Sequence, residues 1–545
     1  MAVERGVLSQ RIAKIRGSVF TAEKTEITEL SLFSLRLNLS FFRCLPINTK
    51  ANPLRKFTWL DHFAINSYWL GIDLATGIIT PLLLPYLVVL FMPAEQKNTY
   101  LANLRVVGLA VAMLVQPLAG MLSDRSTSPL GRRRPYIIAS ALLTMSFLVV
   151  IGASPAFLQG NLNTFFQQNF GITAAYAVLL FGIVLYQFSS NLGQGALQGL
   201  IPDLVPPDQR GRSSGVKAVF ELLPSVLIIA LGIGKLLDQN RIGLIVGIMM
   251  AGFAITLVTT LLGAREQPLR ERPTGKIAPM ALRLLALTII FVSVTRAAVW
   301  LVGAAGRSMG DTTALTSQIA LMGLAGLIAM AGSIFIGVYL GARVGIGAEV
   351  GSRKSFIWWV INRLLFLAAV GSVQGFAQYF LRDVIQVENP GQATTMLLAV
   401  VAVFLIPSAL VGGSLADRIG HRRLVGLSGI VAALGTLLLI LAVNMPLVIV
   451  AGSIIGLATG TFFATNWALG TQLVPPQDAG RYLGISNLAG AGAGIVGAGI
   501  GGPLADFFNG LQPGLGYLVL FAIYAGLFLI SALTLVKVKP GLSGF

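Results

Sequence analysis

Long apolar runs separated by short polar segments dominate the chain after residue 56. A helix needs about 20 apolar residues to cross the hydrocarbon core, whereas a barrel strand needs about ten and alternates in polarity. The length of the runs therefore favours helices. The pattern predicts fourteen membrane-spanning helices, over residues 62–91, 102–123, 135–155, 173–201, 214–237, 243–263, 282–303, 316–342, 355–381, 393–416, 424–443, 446–470, 482–508 and 515–536.

The composition indicates a membrane protein and excludes a soluble one. Of the 545 residues, 55% are hydrophobic and 11% are charged, and the mean hydropathy is +0.80. Soluble domains carry roughly 25% charged residues. A chain this apolar cannot cover its surface with polar groups, so we expect lipid to be its solvent.

The position of the basic residues predicts how the chain crosses the membrane. The formal net charge is +18, which in a soluble protein would suggest nucleic acid. If both termini are cytoplasmic, the segments on that side hold 31 of the 39 Lys and Arg residues. This is the positive-inside bias, and it fits an even number of spans. We therefore expect a multi-pass protein of the cytoplasmic (inner) membrane, with the anionic inner leaflet as the partner of this charge and no nucleic acid.

The first 56 residues are expected to form a cytoplasmic tail. They hold no apolar segment behind a short basic end, so they do not resemble a secretory signal. Residues 35, 37, 39 and 41 are apolar and alternate with polar residues, which favours a segment lying on the inner leaflet. A disordered tail is the alternative, and the sequence leaves both open.

Few residues are available for metal or cofactor chemistry. Cys44 is the single cysteine, and His62 and His421 are the two histidines. Gly492-Ala-Gly-Ile-Val-Gly497 satisfies the dinucleotide pattern, but it lies inside an apolar run, where small residues serve close helix packing. The sequence has no Walker motif, nucleophile elbow or His-rich zinc motif. We expect no metal, no cofactor and no enzyme activity.

Two passages of the chain occur twice. The first is Gly120-Met-Leu-Ser-Asp-Arg125 followed by Gly131-Arg-Arg-Arg134, and it recurs as Gly413-Ser-Leu-Ala-Asp-Arg418 followed by Gly420-His-Arg-Arg423. The second is Leu204-Val-Pro-Pro207 with Gly211-Arg212, which recurs as Leu473-Val-Pro-Pro476 with Gly480-Arg481. The copies differ in spacing because of insertions in polar loops, which a repeat tolerates. The chain therefore contains a duplication.

The duplication sets the expected domain organisation. We predict an all-α integral membrane fold with two pseudo-symmetric six-helix halves and a midplane site between them. The halves are residues 57–265 and 355–538, and residues 266–354 form a linker that adds a central helix pair. Residues 1–56 and 539–545 are cytoplasmic tails, and we expect a monomer.

The repeated loop resembles the signature of the major facilitator superfamily, Gly-x-x-x-Asp-Arg-x-Gly-Arg-Arg. The resemblance covers roughly residues 60–265 and 355–538. It implies secondary active transport and a cytoplasmic gate, in which Asp124 meets basic residues or a helix N-terminus of the facing half. Enforcement of topology by the basic residues is the alternative. The gate candidates are Gly120, Asp124, Arg125, Gly131, Arg132, Arg133, Gly413, Asp417, Arg418, Gly420, Arg422 and Arg423.

The fourth span resembles that of the sucrose and glycoside transporters, which are cation-coupled symporters. The similarity lies in Asn191-Leu-Gly-Gln-Gly-Ala-Leu-Gln-Gly-Leu-Ile-Pro-Asp203 and in the extended loop 123–135. It implies a sugar or glycoside as substrate and coupling to H⁺ or Na⁺. In our alignment, plant sucrose carriers have an acidic residue where this chain has Gln187 and an arginine where it has Gln198. Gln187 cannot carry a proton, which counts against coupling at that position and against sucrose itself.

The family resemblance places the first and fourth helices of each half around a central cavity. Polar side chains in these spans are costly unless protein or water satisfies them. Amides suit hydroxyl-bearing solutes because each has donors and an acceptor, and Trp467 could stack against an apolar sugar face. The alternatives are interhelical hydrogen bonding for the amides, simple packing for Trp467 and snorkelling to the inner surface for Arg363. The candidates for the substrate cavity are Gln187, Asn191, Gln194, Gln198, Asn362, Arg363, Gln374, Gln378, Asn466 and Trp467.

Two carboxylates are candidates for cation coupling. Asp73 lies near the middle of the first span, and a structural ion pair with a neighbouring helix is the alternative role. Glu221, in the fifth span, is either a second titrating group or the partner of Arg363. Arg296, central in the first added helix, has no assigned role.

Two other functions stay open at this point. An exporter of hydrophobic compounds is favoured by the low charge and the added helix pair. A non-transporting assembly or sensor protein could use the same fold, since a fold does not fix a function, and Gln187 in place of an acidic residue keeps this option open.

Overall fold

The structure is a computed structural model that describes residues 57–266, 268, 277–308, 314–347, 351, 353–473 and 479–539. The side chains of residues 346 and 479–489 are not part of this description. The predicted N-terminal tail, the C-terminal residues 540–545, much of the linker around residue 270 and residues 474–478 lie outside the described residues. The predictions for these segments stay predictions.

Among the described residues, fourteen helices are long and apolar enough to cross a membrane, which confirms the predicted number. No β-strand occurs among the described residues. We number these helices α1 (Trp59–Phe91, with a π-helical turn at Ile79–Leu83), α2 (Lys97–Ser123), α3 (Arg134–Ala153), α4 (Ala174–Leu197), α5 (Arg210–Ala230), α6 (Ile242–Gly263), α7 (Ala278–Ser308), α8 (Leu315–Ile346), α9 (Lys354–Asp383), α10 (Pro390–Ile419), α11 (His421–Ile440), α12 (Met445–Gln472), α13 (Ala479–Leu511) and α14 (Leu515–Thr534).

Two segments differ from the sequence-based prediction. The stretch 156–172, which lies between the third and fourth predicted spans, contains a short helix, Asn161–Phe170, on which Phe165 and Phe170 are exposed. Three phenylalanine rings of this helix pack on one another, so aromatic contacts stabilise a segment that has no charged residue. The predicted helix 214–237 ends at Ala230 and resumes as Ile233–Asp238 after a break at Leu231 and Gly232.

Close backbone contact between α2 and α13 joins the N-terminal helices (α1–α6) to the C-terminal helices (α9–α14). A Cβ atom at Gly502 would lie 2.5 Å from Asn98 O and 2.5 Å from Ala102 Cβ. Only glycine lets the two helices approach this closely, as is common for membrane helices without a hydrophobic driving force. The added helices α7 and α8 pack on each other and on α13, and α7 also packs on α2.

Polar contacts tie the two helix groups together at one end of the bundle. Lys97 Nζ, at the start of α2, lies 2.5 Å from Asp383 Oδ2 at the end of α9. The Tyr517 hydroxyl donates to the same carboxylate oxygen at 2.6 Å. The Tyr379 hydroxyl donates to Pro85 O at 3.0 Å. These contacts close the bundle at the end opposite the signature loops, since α2 begins here and ends at the first signature loop.

Two aspartates strengthen the same closure by accepting backbone hydrogen bonds. Asp506 of α13 accepts from the backbone N–H of Thr99 at 2.7 Å and from Asn98 Nδ2 at 2.8 Å. Asp238 accepts from the N–H groups of Gly391 and Gln392, both at 2.9 Å. A carboxylate at a helix N-terminus is favourable because unpaired N–H groups and the helix dipole point toward it. Each aspartate therefore bridges the N-terminal and C-terminal helices.

The α2–α13 contact predicts different effects of alanine substitution at two glycines of α13. Gly502→Ala forces α2 and α13 apart and should lower the free energy of unfolding by about 1–3 kcal/mol. Gly510 has no atom within 4 Å of a built Cβ, so Gly510→Ala should be neutral or gain up to about 1 kcal/mol of helix propensity. Denaturant titration of both variants in detergent measures the difference, and equal effects would contradict the close contact.

Candidate functional site

A cavity of about 1170 Å³ lies between the N-terminal and C-terminal helices. Helices α1, α2, α4, α5, α7, α8, α9, α12 and α13 contribute to its wall. The lining residues lie in the parts of these helices nearest the signature loops. Met280 is the third residue of α7 and Gly345 is the last but one of α8. The cavity therefore reaches this end of the bundle, while the opposite end is closed.

The N-terminal wall of the cavity holds two carboxylates in different surroundings. Lys217 Nζ lies 2.5 Å from Glu221 Oε1, one helical turn away on α5, and 4.3 Å from the centre of the Trp69 ring. Glu221 is thus paired on its own helix and is not the partner of Arg363 in this conformation. Asp73 lines the cavity, and its Oδ2 is buried without a hydrogen-bond donor among the described residues.

When Asp73 is ionised, no ion pair among the described residues compensates its negative charge. The structural alternative, an ion pair with a neighbouring helix, does not occur among the described residues. An ionisable group inside a membrane is costly unless it is paired or neutralised. Asp73 can therefore hold a proton or a small cation delivered through the cavity.

Arg363 and Trp467 form the C-terminal wall together with Phe463. The Arg363 guanidinium lies 5.0 Å from the centre of the Trp467 ring, and its Nη1 donates to Asn466 Oδ1 at 3.2 Å. Its Nε is buried without an acceptor among the described residues. The wall thus presents a cation with spare hydrogen-bonding capacity, held over an aromatic ring.

Asn362 and Asn466 are fully buried behind this wall rather than in it. Asn466 Nδ2 donates to Asn362 Oδ1 at 2.8 Å, and Asn362 Nδ2 donates to the backbone and hydroxyl oxygens of Ser531, both at 2.8 Å. The chain of amides joins α12, α9 and α14. These residues hold helices together and orient Arg363, so they do not meet a solute directly.

The four candidate amide residues of the α4 region lie in two different environments. Gln194 and Gln198 line the cavity, and Gln116 Nε2 of α2 donates to Gln194 Oε1 at 3.3 Å. Asn191 is buried, and its Nδ2 donates to the backbone O and the Oε1 of Gln187 at 2.8 and 3.0 Å. Two of the four candidates therefore face the cavity and two satisfy each other inside the helix packing.

The two glutamines of α9 do not line the cavity. Gln378 is 5% exposed, and its Oε1 has no donor among the described residues. Gln374 is exposed but is not among the lining residues. Close to them, Arg105 Nη2 of α2 donates to Gly371 O at 2.9 Å, which adds a further contact between the helix groups.

Among the lining residues whose side chains carry N–H donors, four were not predicted as cavity residues: Trp69, Gln116, Lys217 and Arg283. Lys217 and Arg283 were assigned to topology because both stand near helix ends. Gln116 belongs to the second span, which the family resemblance does not place around the cavity. Arg283 comes from α7, so the added helix pair supplies part of the wall, and no sequence signal pointed to this.

The first signature loop is an ion-pair network within the N-terminal helices. The buried Arg133 guanidinium pairs with Asp124 and Asp203, and it donates to Ser123 Oγ at 2.8 Å. Arg132 also pairs with Asp203. Asp124 therefore meets an arginine, as expected, but one of its own helix group rather than of the facing one.

Glu266 holds the end of the same loop. Its Oε2 accepts from the backbone N–H of Arg133 at 2.7 Å and of Arg134 at 3.2 Å, at the start of α3. Burial raises the pKa of Glu266, and the two N–H donors and the nearby arginines partly oppose this rise. The carboxylate acts as a cap for α3 and fixes the loop against the end of α6.

The second signature loop repeats the backbone of the first but not its pairing. Gly131 and Gly420 have φ values of 109° and 91°, which glycine adopts without strain. Asp417 lies 3.8 Å from His421 Nε2, and Arg422 Nη2 donates to Val536 O at 3.4 Å. Gln472 stands where the first copy has Asp203, so the carboxylate that organises the first network has no counterpart.

The close approach of α2 and α4 depends on Gly195 rather than on the signature glycine. A Cβ atom on Gly120 would lie 3.4 Å from Gly195 O, which is ordinary van der Waals contact, whereas a Cβ atom on Gly195 would lie 2.8 Å from Gly120 N and would clash with Gln116 O. Gly413 has no atom within 4 Å of a built Cβ. In the second copy, the close approach of α10 and α12 depends on Gly456 and Gly460, because a Cβ atom on Gly456 would lie 2.5 Å from Val401 O and one on Gly460 would clash with Leu405 O.

Sequence comparison finds relatives over parts of the chain. Residues 385–544 match the sequence model of the Major Facilitator Superfamily. The chain is 28% identical to sucrose transport protein SUC3 of Arabidopsis thaliana over 160 residues, which is 29% of this chain and 26% of that protein. It is 32% identical to sucrose transport protein SUT2 of Oryza sativa subsp. indica over 179 residues, 31% of this chain and 32% of that one. The matches thus span about a quarter to a third of these relatives.

Structure comparison extends over nearly the whole chain and concerns the fold alone. The peptide transporter POT in complex with sulfate is 17% identical, with a TM-score of 0.59 over 89% of this chain and 96% of that one. The D-xylose-proton symporter is 12% identical, with a TM-score of 0.53 over 89% and 98% of the two chains. All four of these proteins are transporters, and none is an enzyme.

The fourteen apolar helices and these likenesses define an all-α membrane protein with the fold of major facilitator transporters. Within that class, the family match and the sucrose transporter relatives confirm the resemblance to the major facilitator superfamily and to its sucrose branch, at modest identity.

The cavity geometry predicts which glutamines water can reach. In a Cys44→Ser background, Gln194→Cys and Gln198→Cys should react with a charged thiol reagent about tenfold faster than Gln378→Cys, because access limits thiol reactivity. The rates are measured on purified protein in detergent. Equal rates at all three positions would contradict the assignment of Gln194 and Gln198 to the cavity wall.

Proposed function

We propose that the chain is a secondary active transporter that moves a sugar or glycoside by alternating access and couples this movement to H⁺ or Na⁺. The observation that carries the proposal is the central cavity, open toward the signature loops and closed at the other end. Its wall combines amides, aromatic rings and one unpaired carboxylate. The sucrose transporter relatives support the substrate class.

The proposed solute site uses the amides and cations of the wall. Gln116, Gln194 and Gln198 offer several donors and acceptors to hydroxyl groups. The spare hydrogen-bonding capacity of Arg363 can serve a hydroxyl or a ring oxygen of the solute. The Arg363 guanidinium lies over the Trp467 ring. A sugar can therefore stack directly on that face only if the guanidinium moves. Binding is therefore expected to depend more on the amides than on Trp467.

The proposed coupling site is Asp73. A cation or proton bound there removes the charge that the membrane interior disfavours, and its release restores that charge. The Lys217–Glu221 pair lines the same cavity, so Glu221 is the second titrating candidate. Binding of solute and cation together would favour the state in which the cavity end closes and the Lys97–Asp383 end opens.

The proposed setting is the cytoplasmic membrane, with both termini in the cytoplasm. The bias of basic residues toward the signature-loop end supports this orientation. In it, the cavity of this structure faces the cytoplasm. The two proposed halves are residues 57–265 and 355–538. The signature loops are proposed to form the gate, and the protein is proposed to act as a monomer.

Export of hydrophobic compounds is a second candidate, favoured by one feature of the cavity. Its wall also includes Met113, Met280, Leu284, Leu287 and Phe463. Methionine side chains are flexible and adapt to varied apolar ligands. An exporter would release hydrophobic compounds to the outside and would not accumulate sugars.

Asp73→Asn provides the test of coupling in proteoliposomes. With one proton per solute, a difference of one pH unit drives about tenfold accumulation. Wild type should accumulate a radiolabelled sugar from a panel of sucrose, maltose and a β-glucoside, with a pH or Na⁺ gradient imposed. Asp73→Asn should lose accumulation but keep counterflow exchange, because only coupling needs the carboxylate.

Glu95→Gln is the matched control, since Glu95 is exposed outside the cavity. It should accumulate sugar like wild type. Full gradient-driven accumulation by Asp73→Asn would contradict the coupling role. Absence of sugar exchange in wild type, together with outward movement of a hydrophobic dye, would favour the exporter instead.

A further inference from the structure

A groove of about 910 Å³ runs between the added helix α8 and α9, apart from the central cavity. Its floor includes the rings of Phe335 and Trp358, whose centres lie 5.6 Å apart in an edge-to-face arrangement. The groove is apolar along most of its length. Its lining residues are Phe335, Ile336, Tyr339, Leu340, Arg343, Gly347, Gly351, Lys354, Ile357, Trp358 and Ile361.

The groove opens on the outer face of the bundle. Ile336, Tyr339 and Leu340 are 50%, 44% and 39% exposed. All three belong to a span whose mean hydropathy is 2.3, so in the membrane they face lipid rather than water. An acyl chain is the natural occupant of such a surface.

Two cations stand at one end of this apolar groove. Arg343 belongs to the last turn of α8, and its guanidinium lies 4.9 Å from the centre of the Tyr339 ring. Lys354 is the first residue of α9. No acidic residue occurs among the described residues that line the groove. Among the described residues that line the groove, Arg343 and Lys354 are the charged ones, so the charge that these residues place at this end is positive.

The start of α9 adds to the attraction for an anion. Lys354 is the first residue of α9, so the positive end of the helix dipole lies at this end of the groove. An anion beside a helix N-terminus is stabilised by the first backbone N–H groups and by the helix dipole. The cations and the helix end thus favour the same kind of ligand.

We propose that the groove binds one anionic phospholipid from the leaflet at the signature-loop end of the bundle. The acyl chain lies along Ile336, Leu340 and Trp358, and the headgroup phosphate lies between Arg343 and Lys354. Basic pockets between membrane helices bind anionic headgroups in this way. A free phosphate would leave the apolar length of the groove empty, and a neutral lipid would leave the cations unpaired. The lipid site is independent of the proposed transport function.

Native mass spectrometry of the full chain in detergent tests the site. Phosphatidylglycerol is added at increasing concentration, and the fraction of protein with one bound lipid gives the affinity. Arg343→Gln combined with Lys354→Gln should weaken binding roughly thirtyfold, because each such cation contributes about fivefold. Arg212→Gln combined with Lys537→Gln removes the same charge from exposed positions at the same end and should stay within about twofold of wild type.

Three arms distinguish the phospholipid from other occupants. Wild type should bind phosphatidylcholine much more weakly than phosphatidylglycerol. The Arg343→Gln, Lys354→Gln variant should bind the two lipids with equal affinity. Equal binding of both lipids to wild type would overturn the proposal, as would equal losses in the two double variants. Displacement of phosphatidylglycerol by an equal concentration of inorganic phosphate would also overturn it, because the groove would then recognise the anion alone.

Discussion

Every polar side chain inside this bundle needs a partner or water, because the surrounding lipid offers neither. Asn362 and Asn466 meet this requirement through Ser531 and through each other, and they tie three helices together. Asp73 does not meet it within the described residues. The same constraint therefore separates two kinds of polar group, those that hold the bundle together and those that have to face a cavity and what it contains.

The two ends of the bundle satisfy their charges differently. At the end near Lys97 and Asp383, ion pairs and hydrogen bonds cross between the N-terminal and C-terminal helices. At the signature-loop end, Arg133 pairs with Asp124 and Asp203 of its own helix group. The first end is locked by contacts that an opposite conformation has to break. At the second end, the described residues show no such ion pair between the two helix groups, and the cavity is open there.

The sequence predicted the helices well because their signal is strong and local. Fourteen apolar runs produced fourteen helices, and the two signature glycines share a left-handed backbone. The lining of the cavity was less predictable, because a membrane helix is apolar on most faces and its rotation depends on its neighbours. Asn362 and Arg363 are adjacent in sequence, yet one is buried between helices and the other faces the cavity.

Contacts between residues on different helices were equally hard to predict from the sequence. Glu221 pairs with Lys217 rather than with Arg363, and Arg283 of the added helix pair lines the cavity. Both facts depend on how the helices pack rather than on any motif. The division of the α4 amides follows from the same cause. Spacing placed Gln187, Asn191, Gln194 and Gln198 near one face, but the helices packed against α4 differ along its length.

Alternating access is tested most directly by distances between spin labels at the two ends, in a Cys44→Ser background. One labelled pair, Pro129→Cys with Ile419→Cys, reports on the signature-loop end, and Glu95→Cys with Glu388→Cys reports on the closed end. Alternating access predicts that a transported sugar with its coupling ion shortens the first distance and lengthens the second. Distances that stay unchanged with saturating sugar and ion, or that change in the same direction, would contradict it.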